Sequence, residues 1–231
     1  GKTVTITSSY SGADVSNYSV TDQSSTTANI TAKSLTVSGI TASDKTYDGS
    51  TSATLTGSAV YSGLVSGDTF TGSYSGVFAD ANVGAGKTVN ITSSYSGADV
   101  NNYSVTDQSS TTADISAKAL TATASTSNKT YDGGTTASTT LTFTGLVGSE
   151  TLGQTVGSTF DNKNVGSNKT VTVNSITLSD GSGLAANYSI SAGQTTTADI
   201  TAKSLTVSGI TASNKTYDGS TNATLDASLV A

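Results

Sequence analysis

The sequence predicts an all-β chain: tandem small antiparallel β-sandwich domains of immunoglobulin-like type forming a rod, with β-grasp-like repeat domains as the alternative. Three observations predict it. The chain is self-similar at a period of about 85 residues, short apolar runs alternate with Thr or Ser between clusters of turn residues, and no apolar stripe has the 3.6-residue period of a helix.

The repeat comes first. Residues 1–31 recur at 86–116 with four differences, and in diverged form from Asn168 to Thr201. Tyr18, Tyr103 and Tyr188 are spaced by 85 and 85, and Tyr47, Tyr131 and Tyr217 by 84 and 86. The recurring Ala-Lys-[Ser/Ala]-Leu marks the start of a unit. Residues 32–116 and 117–201 are then two whole repeats, with 1–31 the C-terminal part of a preceding repeat and 202–231 the N-terminal part of a following one. A period this long exceeds that of a solenoid rung, so each unit is expected to be a domain with its own core, and the array to continue beyond this window.

Strands follow from alternation. Val4-Ile6, Leu35-Val37, Val89-Ile91, Leu141-Phe143 and Val171-Val173 are each separated by one Thr, Ser or Asn, the period of a half-buried strand. Between such runs lie Ser66-Gly67-Asp68, Asn82-Val83-Gly84 and Asp180-Gly181-Ser182-Gly183, spaced as turns, and six to eight strands per unit result. A domain of this size is marginal, so Tyr47, Phe78, Tyr103 and Phe160 are expected to anchor the cores. The step from Ile30 to Leu35 changes the apolar parity and contains no Gly or Pro, and it recurs at Ile115-Leu120 and Ile200-Leu205. A stiff joint between neighbouring repeats is expected there.

Composition excludes more than it suggests. Cys, His, Met, Trp, Pro and Arg are absent and Glu150 is the single glutamate, so thiolate, imidazole and common zinc or haem chemistry are ruled out and an enzyme is not expected. The net charge is −6 and the ten lysines are scattered, which gives no basic stripe for nucleic acid. No apolar run is long enough to span a membrane.

Three motifs recur in register. Lys45 to Ser50 and Lys215 to Ser220 read Lys-Thr-Tyr-Asp-Gly-Ser, and Lys129 to Gly134 reads Lys-Thr-Tyr-Asp-Gly-Gly. Phe78 to Gly84 and Phe160 to Gly166 end in Asn-Val-Gly, and Asn-Tyr-Ser stands at Asn17, Asn102 and Asn187. Over essentially the whole chain this pattern resembles the YDG domain, a repeat of very large bacterial surface proteins such as filamentous-haemagglutinin-like adhesins. The resemblance implies a spacer role and an extracellular or cell-surface location in a Gram-negative bacterium, and it implies no particular host or glycan ligand.

The motif residues Tyr47, Asp48, Gly49, Tyr131, Asp132, Gly133, Tyr217, Asp218 and Gly219 read as turn chemistry, with Asp and Gly in the bend and Tyr packed beneath it. Asp80 with Asn82, and Asp161 with Asn164, are spaced as oxygen ligands and are the calcium candidates, each pair lacking a second carboxylate; no other cofactor is expected. Lys45, Lys129 and Lys215 would suit an isopeptide cross-link, but carboxylic acids to assist one are scarce. The nine Asn-x-Ser/Thr sites are common in a chain this rich in Ser and Thr, and Thr-x-Thr rows need no ice-binding face to explain them.

These readings lead to a structural stalk or spacer of a long surface adhesin or extracellular fibre. The alternatives are repeats that themselves bind glycans or sister chains weakly through avidity, in cell adhesion or biofilm, and repeats that polymerise into a filament.

Overall fold

The computed structural model describes residues 1–226. The chain is all-β and divides into two compact units, Gly1–Lys118 and Ala119–Ala231, of which residues 227–231, the end of the fragment at 202–231, lie outside the described part.

In the first unit β1 (Lys2–Thr5) and β2 (Ser25–Ala28) form a two-stranded ladder. The first whole repeat follows with β3 (Lys33–Ala42), β4 (Lys45–Thr46), β5 (Ser52–Ala53), β6 (Leu55–Ser62), β7 (Thr71–Phe78), β8 (Gly84–Ser96), β9 (Tyr103–Thr106) and β10 (Ser110–Ser116). One sheet runs β4-β10-β8-β7-β5 and the other β6-β3-β9. Most pairings are antiparallel, as alternation and short turns predict, but β3 with β9 and β4 with β10 are parallel. Parallel neighbours need a long return of chain, and here Lys45 pairs with Ile115 across almost the whole repeat.

The alternation is realised as burial. Along β10, Ala113 and Ile115 point inward between exposed neighbours, and with Phe78 and Val89 they are nearly solvent-free. Leu35, Phe70 and Tyr103 make a second core patch, with Tyr61, Leu64, Tyr95, Val100 and Val105 against it. Phe70 meets Tyr61 and Tyr103 edge-on at ring separations of 5.2 and 5.8 Å, a favoured aromatic geometry.

After β11 (Lys118–Ala119), at the boundary between units, the second repeat contains β12 (Thr121–Thr126), β13 (Lys129–Thr130), β14 (Thr139–Thr144), β15 (Leu152–Phe160), β16 (Gly166–Asp180), β17 (Tyr188–Ser189) and β18 (Thr195–Thr201). Its larger sheet is β13-β18-β16-β15, and β12 pairs with β14. Ala137, Phe160, Val171, Ala198 and Ile200 form its core. Two further short strands, β19 (Thr211–Ala212) and β20 (Leu225–Asp226), pair with each other.

The ladder of β3 with β6 is broken by a bulge between Ser38 and Ile40, where Gly39 and Gly57 both have positive φ. A Cβ at Gly57 would stand 2.4 Å from the Gly39 carbonyl oxygen. We expect Gly57→Ala to destabilise the first repeat by about 1–3 kcal/mol, read by chemical denaturation. An unchanged midpoint would show that the bulge relaxes freely.

Candidate functional site

The Tyr-Asp-Gly loop is built around a lysine. Lys45 lies on β4, and its side chain is only 16% exposed. The ammonium is 2.7 Å from Asp48 Oδ1 and donates to Ser50 O (2.8 Å), Ser50 Oγ (3.1 Å) and Ser52 O (3.2 Å). It also stands 5.6 Å from the centre of the Phe78 ring. The loop therefore folds back on its own lysine, and Asp48 closes the bend by accepting the Ser50 N–H at 2.8 Å. Gly49, at φ 77°, makes the left-handed turn that this closure needs.

The second repeat reproduces the arrangement, except that Gly134 in the place of Ser50 has no hydroxyl to offer the lysine. Lys129 donates to Asp132 (2.8 Å), Gly134 O (2.9 Å) and Thr136 O (3.1 Å), again 5.6 Å from a ring, that of Phe160. Gly133 has φ 81° and the Gly134 N–H is donated to Asp132. At the third copy Lys215 reaches Asp218 (2.8 Å) and Ser220 O (3.0 Å), and Gly219 has φ 76°.

The tyrosines of the motif differ. Tyr47 is 6% exposed and Tyr131 36%, so of the two whole repeats the first buries its tyrosine beneath the bend and the second leaves it half open. Backbone geometry is not the cause, because Tyr47 N–H reaches Ser116 O at 2.9 Å and Tyr131 N–H reaches Thr201 O at 2.8 Å. Tyr131 instead lines an open groove of about 420 Å³ with Asn164, Val165, Ala202, Lys203 and Leu205.

A second lysine clamps the calcium candidates. Lys87 on β8 sits 2.7 Å from Asp80, which also accepts the Asn82 N–H at 2.8 Å. Lys169 on β16 reaches Asp161 (2.9 Å) and Asn162 Oδ1 (2.7 Å), while the Asn164 N–H bonds Asn162. The structure thus brings Asp80 to Asn82 and Asp161 to the loop of Asn164, with an ammonium group already beside the carboxylate. Among the described residues no three acidic side chains converge as a metal site.

Lys45 and its hydrogen bond to Asp48 hold that carboxyl at a pKa of about 2, below the ordinary 3.8. Asp80, Asp132, Asp161 and Asp218 are lowered in the same direction, first by Lys87, Lys129, Lys169 and Lys215. Because its folded value is depressed, the Asp48 clamp stabilises fully above pH about 4 and is lost as pH falls toward about 2, and the other four clamps weaken in the same direction as pH falls. Side-chain carboxyl shifts followed by NMR should place the Asp48 midpoint well below that of a model aspartate; an ordinary midpoint would show that the ammonium does not hold it.

A tyrosine latch was not legible in the motifs. The Tyr103 hydroxyl accepts the Val65 N–H at 3.0 Å and donates to Asp68, and Tyr188 accepts the Val147 N–H at 2.9 Å and donates to Glu150 at 2.5 Å. Burial, reinforced by the acceptor carboxylate, raises the pKa of both phenols. The available signal was a Val-x-x-acid turn, Val65 to Asp68 and Val147 to Glu150, ahead of the Asn-Tyr-Ser at Asn102 and Asn187, disguised by the exchange of Asp68 for Glu150.

The lysines and acids of the recurring loops are thus engaged in closing those loops, an arrangement that holds a fold. A family model described as the YDG domain matches residues 31–113 and 116–198. No curated protein and no solved structure matches the chain.

Proposed function

Because the chain belongs to the YDG-domain family, with two tandem copies covering most of its length, we propose that it is a structural spacer, a segment of the stalk of a long bacterial surface adhesin or extracellular fibre. One observation carries the reading. The motif that recurs most faithfully, the lysine hub, serves the loop that contains it, as expected where selection preserves a fold rather than a ligand site. On this reading the chain is not an enzyme and sits outside the cell, projecting a distal part from a Gram-negative surface in the manner of filamentous-haemagglutinin-like adhesins.

Small-angle scattering of the dilute chain tests the spacer. An elongated particle is expected, with a radius of gyration clearly above the value of about 17 Å for a compact globule of this length. A value near the globule's would overturn the reading. Antibody labelling of intact cells tests the location, and signal seen only after lysis would overturn it.

A second reading, weak adhesion by the repeats themselves, draws on the first repeat's half-buried Tyr74 and Tyr95. Their rings meet edge-on at 6.2 Å, beside a shallow groove of about 200 Å³ walled by Ser73, Ser75, Thr92 and Ser94. Glycan-array binding by the intact chain, lost in Tyr74→Ala, is its expected signature; an array on which the chain binds nothing would dismiss it.

A further inference from the structure

We propose that each whole repeat is a force-bearing module, in which the Lys-Thr-Tyr of the recurring motif and the last strand of the same repeat form a clamp that tension along the chain must shear. In the first repeat β4 lies parallel on the end of β10, Lys45 opposite Ile115 and Thr46 opposite Ser116. The ladder is extended at both ends, since the Tyr47 N–H is donated to Ser116 O at 2.9 Å and the Asp114 N–H to Asp44 Oδ1 at 2.7 Å. The second repeat has the same clamp. There β13 lies parallel on β18, Lys129 opposite Ile200, with the Tyr131 N–H donated to Thr201 O at 2.8 Å and the Asp199 N–H to Asn128 Oδ1 at 2.7 Å. Asp44 is exchanged for Asn128 between the repeats, yet the acceptor oxygen and its bond are kept.

The direction of the strands gives this short ladder its mechanical weight. The chain runs on at both sides of residues 32–116, so tension enters the repeat through β3 and leaves it through β10. Ser43 and Asp44 pass the pull from β3 to the N-terminal end of β4, whereas β10 is drawn from its C-terminal end. Because β4 and β10 are parallel, the two pulls oppose each other along one strand direction, and the bonds between them are strained together. An antiparallel hairpin pulled apart at its open end loses its bonds singly. The strands that take the tension are also interior ones, β3 between β6 and β9 and β10 between β4 and β8, so neither peels from a sheet edge.

The lysine hub serves the same end. Lys45 is a residue of the clamp, and its ammonium ties down Asp48, Ser50 O and Ser52 O, the chain just beyond the ladder. Lys129 does this with Asp132, Gly134 O and Thr136 O. Lys-Thr-Tyr-Asp-Gly is then one device: two ladder residues, a further backbone donor, and the turn that anchors them. The proposal rests on the spacer reading only for the source of the tension.

Stretching the intact chain at constant force between handles on its two ends tests the clamp. Each whole repeat should unfold in one step that releases up to roughly 300 Å of chain. Asp44→Ala and Asn128→Ala each remove one exposed side-chain acceptor, and each should speed the unfolding of its own repeat under tension about fivefold or more. A second geometry pulls the first repeat across the β7–β8 hairpin, through handles on Thr71→Cys and Ser96→Cys, which face each other at its open end in a chain without cysteine of its own. A lower unfolding force is expected there. Asp44→Ala should leave that rate unchanged, because the clamp is not in the path of the pull. The proposal is overturned if the end-to-end force is no higher than the hairpin force, if Asp44→Ala acts equally in both geometries, or if neither alanine variant alters the end-to-end rate. Dilute scattering tests the spacer reading separately, and a compact particle there would leave the measured clamp intact.

Discussion

Phe78→Ala is expected to destabilise the first repeat by about 3–5 kcal/mol, the range for removing a large buried aromatic side chain. Phe78 is 2% exposed, stands opposite Val89 in the β7–β8 ladder, and donates its N–H to Thr51 O at 2.8 Å. The ring therefore fills the core under the larger sheet and supports the Tyr-Asp-Gly loop from below. Alanine removes the apolar contact area and leaves a cavity that a stiff sheet fills poorly. Hydrogen exchange during urea unfolding should show the amides of β7, β8 and β10 opening early, while those of β16 and β18 keep their original midpoint. A loss below about 1 kcal/mol would mean that the core is loosely packed, and an equal loss in the second repeat would mean that the two units do not unfold independently.

Lys45→Met is expected to cost about 2 kcal/mol. Methionine keeps much of the stem's packing and deletes the charge, leaving Ser50 O and Ser52 O without their donor and Asp48 without its partner. Asp48 is 54% exposed, so solvent recovers part of its loss, and Asp48→Asn should cost less than about 1 kcal/mol. In Lys45→Met the Asp48 pKa should rise from about 2 toward the ordinary carboxylate value, a readout that a packing defect alone would not move. Urea midpoints and NMR titration of both variants check the pair; a neutral Lys45→Met would reduce the hub to a surface ion pair. The ring of Phe78 beneath the ammonium predicts non-additivity between Lys45→Met and Phe78→Ala.

Much of this was legible beforehand, for physical reasons. Alternation is local, so the inward placement of Ala113, Ile115 and Val171 could be read from the two-residue period. The left-handed turns at Gly49, Gly133 and Gly219 were legible because Asp-Gly is strong turn chemistry. Tyr47, Tyr103, Phe78 and Phe160 are buried as size and hydrophobicity suggested. The candidate site was less legible. Lys45 was recognisable as recurrent, but its carbonyl acceptors depend on how the loop returns, and Asp80 and Asp161 looked like ligands awaiting a cation until Lys87 and Lys169 stood beside them.

By itself the sequence determined the 85-residue register, the all-β class and the Asp-Gly bends of the recurring motif, since these depend on identity, spacing and near-neighbour preference. Tertiary structure alone decided that β9 lies parallel on β3, that Tyr103 latches the loop of Asp68, and that Tyr131 stays open where Tyr47 is buried. Each joins residues tens of positions apart, and such pairings are chosen by the competition of whole strands for the same edge, which no local pattern records.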